Sequence, residues 1–460
     1  MSAVDSEELA GASPADIRSR VIKLAGPALM EMLLLTTVQM IDMIMVGRLG
    51  APAIAAVGLT NQPIFFSLAI FVALNVGTMA LVARYAGARE PEKASEVARQ
   101  TLIITSAFGL VVAVLGMIFA EKVMLFMGAR PEVLPLGTVF FRIISFSLIF
   151  STISTSASAV LRGCGDTRTP MKVNMLANLL VIAGDYLLIY GKFGFPALGV
   201  AGAGWATAAA RIVAAALFIF AVVQERPVGG PGGVRINLGG PCRLNLPVIR
   251  QIVNIGFPSA LEQLILQGGL IVFVRVVAGL GTTTYAAHQI ALNVLSLSFT
   301  PGQAFGIAAT ALVGQNLGAN RPDWAEQCGY ETRRLGTALC SIMGLVFIFF
   351  GSYIVRLYTA DPEVIRQGAM ALKIIGVVQP AQSSQFILAG GLRGAGDTRW
   401  PLMATAVGIW GIRLSLAHLL IFGLHLGLEG AWVAIAIDQF SRSLLISYRY
   451  RTGRWKEALV

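Results

Sequence analysis

Two aspartates stand alone among apolar neighbours. Asp42 lies in LTTVQMIDMIMVGR and Asp185 in ANLLVIAGDYLLIYG. An ionisable side chain in such a setting is expensive to keep and marks a place where an ion or a proton is handled. An apolar surrounding and a neighbouring like charge both favour the protonated carboxyl, so such a pair can take up a proton near neutral pH. Sodium is the other candidate occupant. It needs several oxygen ligands, which Asn178 and Thr207 can help supply. The structural alternative is neutralisation by an arginine within the apolar segments, such as Arg211. A second set of acids, Glu31 and Glu262, follows Pro27 and Pro258 by one turn. Their repetition points to one shared role, either as partners of nearby helix ends or in binding a cation. Asp438 and Arg442 have the i,i+4 spacing of a helical ion pair.

The elements that carry these residues follow from composition. The chain has 460 residues, 56% of them hydrophobic and 13% charged, with a mean hydropathy of +0.73. Soluble domains carry about a quarter charged residues, so this is an integral membrane protein. Continuous apolar runs fall near 22–47, 60–86, 97–120, 136–162, 169–190, 198–223, 251–279, 286–316, 333–355, 366–392, 400–423 and 429–448. They are long enough for transmembrane helices and lack the alternation of barrel strands. The expected fold is all-α, with twelve transmembrane helices. Its expected divisions are an N-terminal segment (1–20), a six-helix lobe (21–223), a Gly/Pro-rich linker (224–250), a second six-helix lobe (251–448) and a basic tail (449–460). The first twenty residues lack a basic start followed by an apolar run, so no cleaved signal peptide is expected.

Most Lys and Arg residues, among them Arg84, Arg89, Lys93, Arg99 and the tail from Arg449 to Lys456, fall on one side of these spans. The other side holds Arg48, Lys122, Arg130, Lys192, Arg356 and Arg366. This bias places both termini in the cytoplasm. It also accounts for the net charge of +11 without nucleic acid as a partner. The cysteines form no CxxC pair and the three histidines lie far apart, so neither a metal site nor a cofactor is expected.

The halves repeat. LRGCGDTRTP (161–170) returns as LRGAGDTRWP (392–401), 231 residues later. At the same offset Pro27 meets Pro258, Glu31 meets Glu262, and Pro131-Glu132-Val133 meets Pro362-Glu363-Val364. Six spans per half make the repeats parallel, an arrangement that favours a central cavity opened to each face in turn by rocking lobes. In the decapeptide the glycines allow a tight turn, Asp166 and Asp397 can cap the next helix, and Arg162 and Arg393 can hold helix-end carbonyls. Asp42 and Asp185 meet Phe273 and Leu416 at this offset, so the acidic pair belongs to the first half alone.

MIDMIMVGRLG (40–50), the paired LRGxGDTR loops, GVAGAGWAT (199–207) and AAHQIALN (286–293), in this order, resemble the multidrug and toxic compound extrusion (MATE) family over residues 20–450. The resemblance implies a monomeric antiporter in the plasma membrane, with a V-shaped pair of six-helix bundles. It would export organic, often cationic compounds in exchange for protons or sodium ions. In DinF-like and archaeal members, an aspartate on the first helix and another on the fifth form the coupling-ion site with a sixth-helix threonine. Asp42, Asp185 and Thr207 match those places, so the first half looks closer to these members than to NorM-like ones. Where such members often carry Asn, four residues before the fifth-helix aspartate, this chain has Val181. NorM-like members use a seventh-helix glutamate and a tenth-helix aspartate. Glu262 stands on the seventh helix, but the tenth-helix position holds Gln382, so that second cation or substrate site looks incomplete.

The expected substrate cavity is lined by Asn61, Gln62, Phe65, Gln263, Gln267, Gln289 and Gln385, a loose polar and aromatic set suited to flat amphipathic cations. A lipid-linked sugar flippase of the same superfamily is the alternative, disfavoured because these residues are mostly amides rather than bases. An enzyme is not expected: no HExxH or GxSxG set occurs, and both GxGD sequences (163–166, 394–397) fall in cytoplasmic loops.

Overall fold

The structure is a computed structural model that describes residues 14–223, 237 and 243–458. Residues 1–13 of the expected N-terminal segment and most of the expected linker lie outside the described residues; residues 14–20 already belong to the first helix. Twelve long helices follow one another: α1 (Pro14–Gly47), α2 (Ala51–Gly87), α3 (Pro91–Phe126), α4 (Leu134–Gly163), α5 (Arg168–Tyr190), α6 (Val200–Val223), α7 (Leu246–Ala278), α8 (Thr282–Gly318), α9 (Pro322–Arg356), α10 (Pro362–Gly394), α11 (Arg399–Gly423) and α12 (Gly427–Arg451). Prolines open α3, α9 and α10, where the missing N–H costs no hydrogen bond. Asp361 caps α10, its Oδ1 accepting from the amides of Glu363 at 2.9 Å and Val364 at 3.4 Å.

Ten of these helices are long and apolar enough to cross a membrane. The other two, α10 and α12, are long enough, since a roughly 30 Å hydrocarbon core needs about 20 residues. They are less apolar because their polar side chains are turned inward. On α10 these are Gln379, Gln382, Ser383 and Gln385; on α12 they are Asp438, Gln439, Arg442 and Ser443, all buried. The fold is therefore the twelve-helix all-α membrane protein that the sequence implies.

The chain forms two compact units. One holds residues 30–256, and the other residues 1–29 with 257–460. This differs from a division at the linker alone: each changeover falls inside a helix, α1 or α7, close to Pro27 or Pro258. A proline removes one rung of the helical ladder, and the helix changes unit where it is weakest. In the first unit α4 is central and packs on α2, α3 and α6. In the second, α10 is central and packs on α8, α9 and α12, so the packing repeats as the sequence does.

Within α11 the residues Val407–Arg413 and Leu419–Gly423 form π-helical turns, whereas its counterpart α5 is α-helical throughout. Nothing in the apolar pattern signals them. The C-terminal tail closes with a short 3-10 turn, Arg454–Glu457, whose Trp455 is fully buried and stacks on Tyr450 at 4.6 Å.

Candidate functional site

The acidic pair is assembled by α1 and α5. Asp185 is fully buried and Asp42 partly so. Their carboxyl groups lie close enough to interact directly. Neither oxygen of Asp185, nor Oδ1 of Asp42, has a donor settled on it among the described residues. Arg211 on α6 forms no ion pair with either. Two carboxyls in contact, with no base beside them, cannot both stay ionised without a cation or a proton between them.

The neighbouring helix is brought in by small residues. A side chain at Gly202 would come within 2.4 Å of the Leu188 carbonyl oxygen, so α5 and α6 approach backbone to backbone there. Gly184 rests against Ala206 in the same antiparallel seam, which brings the turns carrying Asp185 and Thr207 alongside each other. Asn178, two turns before Asp185, is buried and its Nδ2 is an orphan donor. Asp42, Asp185, Asn178 and Thr207 all belong to the first unit.

Glu31 and Glu262 are committed otherwise. Arg162 Nη2 donates to Glu31 Oε1 at 2.6 Å, and Asn174 Nδ2 donates to the same oxygen at 2.7 Å. Arg393 Nη2 donates to both oxygens of Glu262 at 2.8 and 2.9 Å, with the Thr405 hydroxyl at 3.1 Å. The decapeptide arginines therefore grip a glutamate on the first helix of their own half rather than helix-end carbonyls. A guanidinium finds a stronger partner in a carboxylate than in a carbonyl. Asp166 does cap α5, its Oδ1 accepting from the amides of Arg168 and Thr169, both at 2.9 Å. Asp397 is instead drawn to Arg449 at 2.7 Å. Gly165 and Gly396 supply the turn with φ of 86° and 90°.

The remaining sequence candidates are divided between the two units. Asn61, Gln62, Phe65 and Gln267 are exposed on their units. Gln263 is partly buried, and Gln289 bonds to the Tyr285 hydroxyl on its own helix. Gln382 and Gln385 lie inside the second unit, 1% and 7% exposed, so they are interior residues there. Gln382 has neither amide atom partnered.

Sequence reasoning missed one charged centre. Asp438 is fully buried and accepts from two arginines: Arg413 Nη2 at 2.6 Å and Arg442 Nε at 2.8 Å. Arg413 also lies over the Phe273 ring at 5.7 Å. The Asp438–Arg442 half was readable from spacing. Arg413 comes from another helix, and no local signal announces it.

Comparison with known proteins fits this geometry. The MatE family model matches residues 27–187 and 258–419, once in each half. The chain belongs to the MATE transporter family. It is 30% identical over 445 residues to the probable multidrug resistance protein NorM of Thermotoga maritima, covering 97% of this chain and 94% of that one. It is 26% identical to the uncharacterized transporter YisQ of Bacillus subtilis, covering 96% of each. Among solved structures, a MOP superfamily transporter from Pyrococcus furiosus superposes with a TM-score of 0.87 at 22% identity, over 98% of both chains. An outward-facing multidrug resistance MATE transporter superposes with a TM-score of 0.87 at 22% identity, over 96% of this chain and 97% of that one. As a MATE transporter the chain is a multi-pass membrane protein with a transport role rather than an enzymatic one.

Proposed function

We propose that this MATE transporter exports organic, amphipathic or cationic compounds across the plasma membrane, driven by protons or sodium ions entering at Asp42 and Asp185. One observation carries the reading: two carboxyls face each other inside an apolar unit with no basic partner. Such a pair holds one proton or one small cation and releases it when its surroundings change. Asn178 and Thr207 are the oxygen donors that would complete a sodium shell. The drive comes from an ion gradient, so the residues supply a binding site and no cofactor takes part. In this reading Glu31 and Glu262, each balanced by an arginine, serve their bridges rather than the coupling site.

Ethidium efflux from proteoliposomes tests this, with a pH gradient and a sodium gradient imposed separately. Wild type is expected to move dye under one of them, and Asp42→Asn or Asp185→Asn to abolish that drive. Dye movement that ignores both substitutions removes the pair from the coupling role. If neither gradient moves dye in wild type, the exporter reading fails and lipid-linked substrates come next.

A further inference from the structure

The Glu31–Arg162–Asn174 bridge and the aspartate pair share a spacing. Eleven residues separate Glu31 from Asp42 on α1, and eleven separate Asn174 from Asp185 on α5. Eleven residues make three helical turns within a small angle, so both members of each set fall on one helix face, about 16 Å apart. The two helices meet at Glu31 with Asn174, at Asp42 with Asp185, and again where the Tyr190 hydroxyl reaches the Met45 carbonyl. Only 11% of the most apolar stretch of α1 is buried; its other tie to α5 lies at the far end, where the Tyr190 hydroxyl donates to the Met45 carbonyl at 3.0 Å and Val46 packs with Ile189. A helix this sparsely packed takes its register from its polar bridges.

We infer that the Glu31–Arg162–Asn174 bridge is the positioning device of the coupling site, setting the register of α1 on α5 that brings Asp42 against Asp185. The arginine is anchored in the LRGCGDTR loop, which gives that motif a role at the site without contact with ion or substrate. The second half supplies a built-in control. Glu262, Arg393 and Thr405 form the same bridge, and eleven residues further along stand Phe273 and Leu416, both in an apolar cluster. There the same clamp leads to no acidic pair, only to Phe273 and Leu416.

This inference rests on the coupling role proposed above, so its test has two arms. In the first, Asp42→Cys and Asp185→Cys are combined in a chain freed of its four native cysteines, and a short thiol cross-linker is applied to purified protein. Adding Glu31→Gln is expected to cut the cross-linked fraction several-fold; adding Glu262→Gln is expected to leave it unchanged. In the second, the native aspartates are kept and the half-saturating ion concentration for dye efflux is measured. Glu31→Gln should raise it about tenfold, Glu31→Asp should recover most of the loss, and Glu262→Gln should not shift it. Equal effects of Glu31→Gln and Glu262→Gln in the cross-linking arm overturn the inference, as does an unchanged yield. A cross-linking difference without any gradient-driven efflux in wild type upholds the register and sinks the coupling role alone.

Discussion

At the residue scale the molecule handles buried charge in two opposite ways. Asp42 and Asp185 share their space without a base, whereas Asp438 is held by two guanidiniums whose side chains are 6% and 4% exposed. Removing one member of such a buried set leaves the others uncompensated, a loss of about 3–5 kcal/mol. Asp438→Asn is therefore expected to lower the thermal unfolding midpoint strongly in detergent. Asp185→Asn, which relieves a like-charge contact, should leave that midpoint unchanged or raise it while stopping gradient-driven efflux. The exposed Arg366–Glu363 pair serves as a baseline, because solvent-screened ion pairs contribute little; Glu363→Gln should not move the midpoint measurably.

At the element scale, most of the structure was legible in the sequence. Apolar runs mark the helices, and the repeat supports α10 at an offset of 231 residues and α12 through GAW (430–432), which answers GAGW (202–205) after a small deletion. The π-helical turns of α11 were not legible, because one extra residue per turn leaves no trace in an apolar pattern. Arg413 escaped for a related reason: its partner is 25 residues away on another helix. The two Glu–Arg bridges did carry a signal. Glu31 and Arg162, like Glu262 and Arg393, are 131 residues apart and recur together, which marks co-placed partners more strongly than either residue alone. The loop ending α4 offers a test of how tightly these elements close. Cys164 is buried there, and burial with Asp166 nearby pushes its thiol up to about 12. The neutral thiol is favoured in the fold, so this contribution to stability is whole below the ordinary value of 9.0 and is lost as pH climbs towards 12. With Cys164 as the sole cysteine, maleimide labelling at pH 8 should be slow in folded protein and rapid after denaturation. Rapid labelling of the folded form would mean that the loop opens.

At the scale of the whole molecule, an even number of helices puts both termini on one face, and the Lys and Arg bias chooses which. We propose from that bias that Arg449, Arg451, Arg454 and Lys456 share the N-terminal side with Arg84, Arg89 and Lys93, where an anionic, potential-bearing cytoplasmic leaflet would retain them. The turn between α5 and α6 then faces outward, and its Phe193 is 86% exposed. A single cysteine at Phe193 should react with a membrane-impermeant maleimide in intact cells, whereas one at Lys93 should react only after permeabilisation. On this proposed orientation the acidic pair, three turns beyond Glu31 on α1, would lie in the outer half of its unit, and an ion descending its gradient would meet the carboxyls before the arginine-anchored bridge. Labelling at Lys93 but not at Phe193 in intact cells would invert that order, and the same inward gradient would load the pair from the bridge side, past a bound arginine.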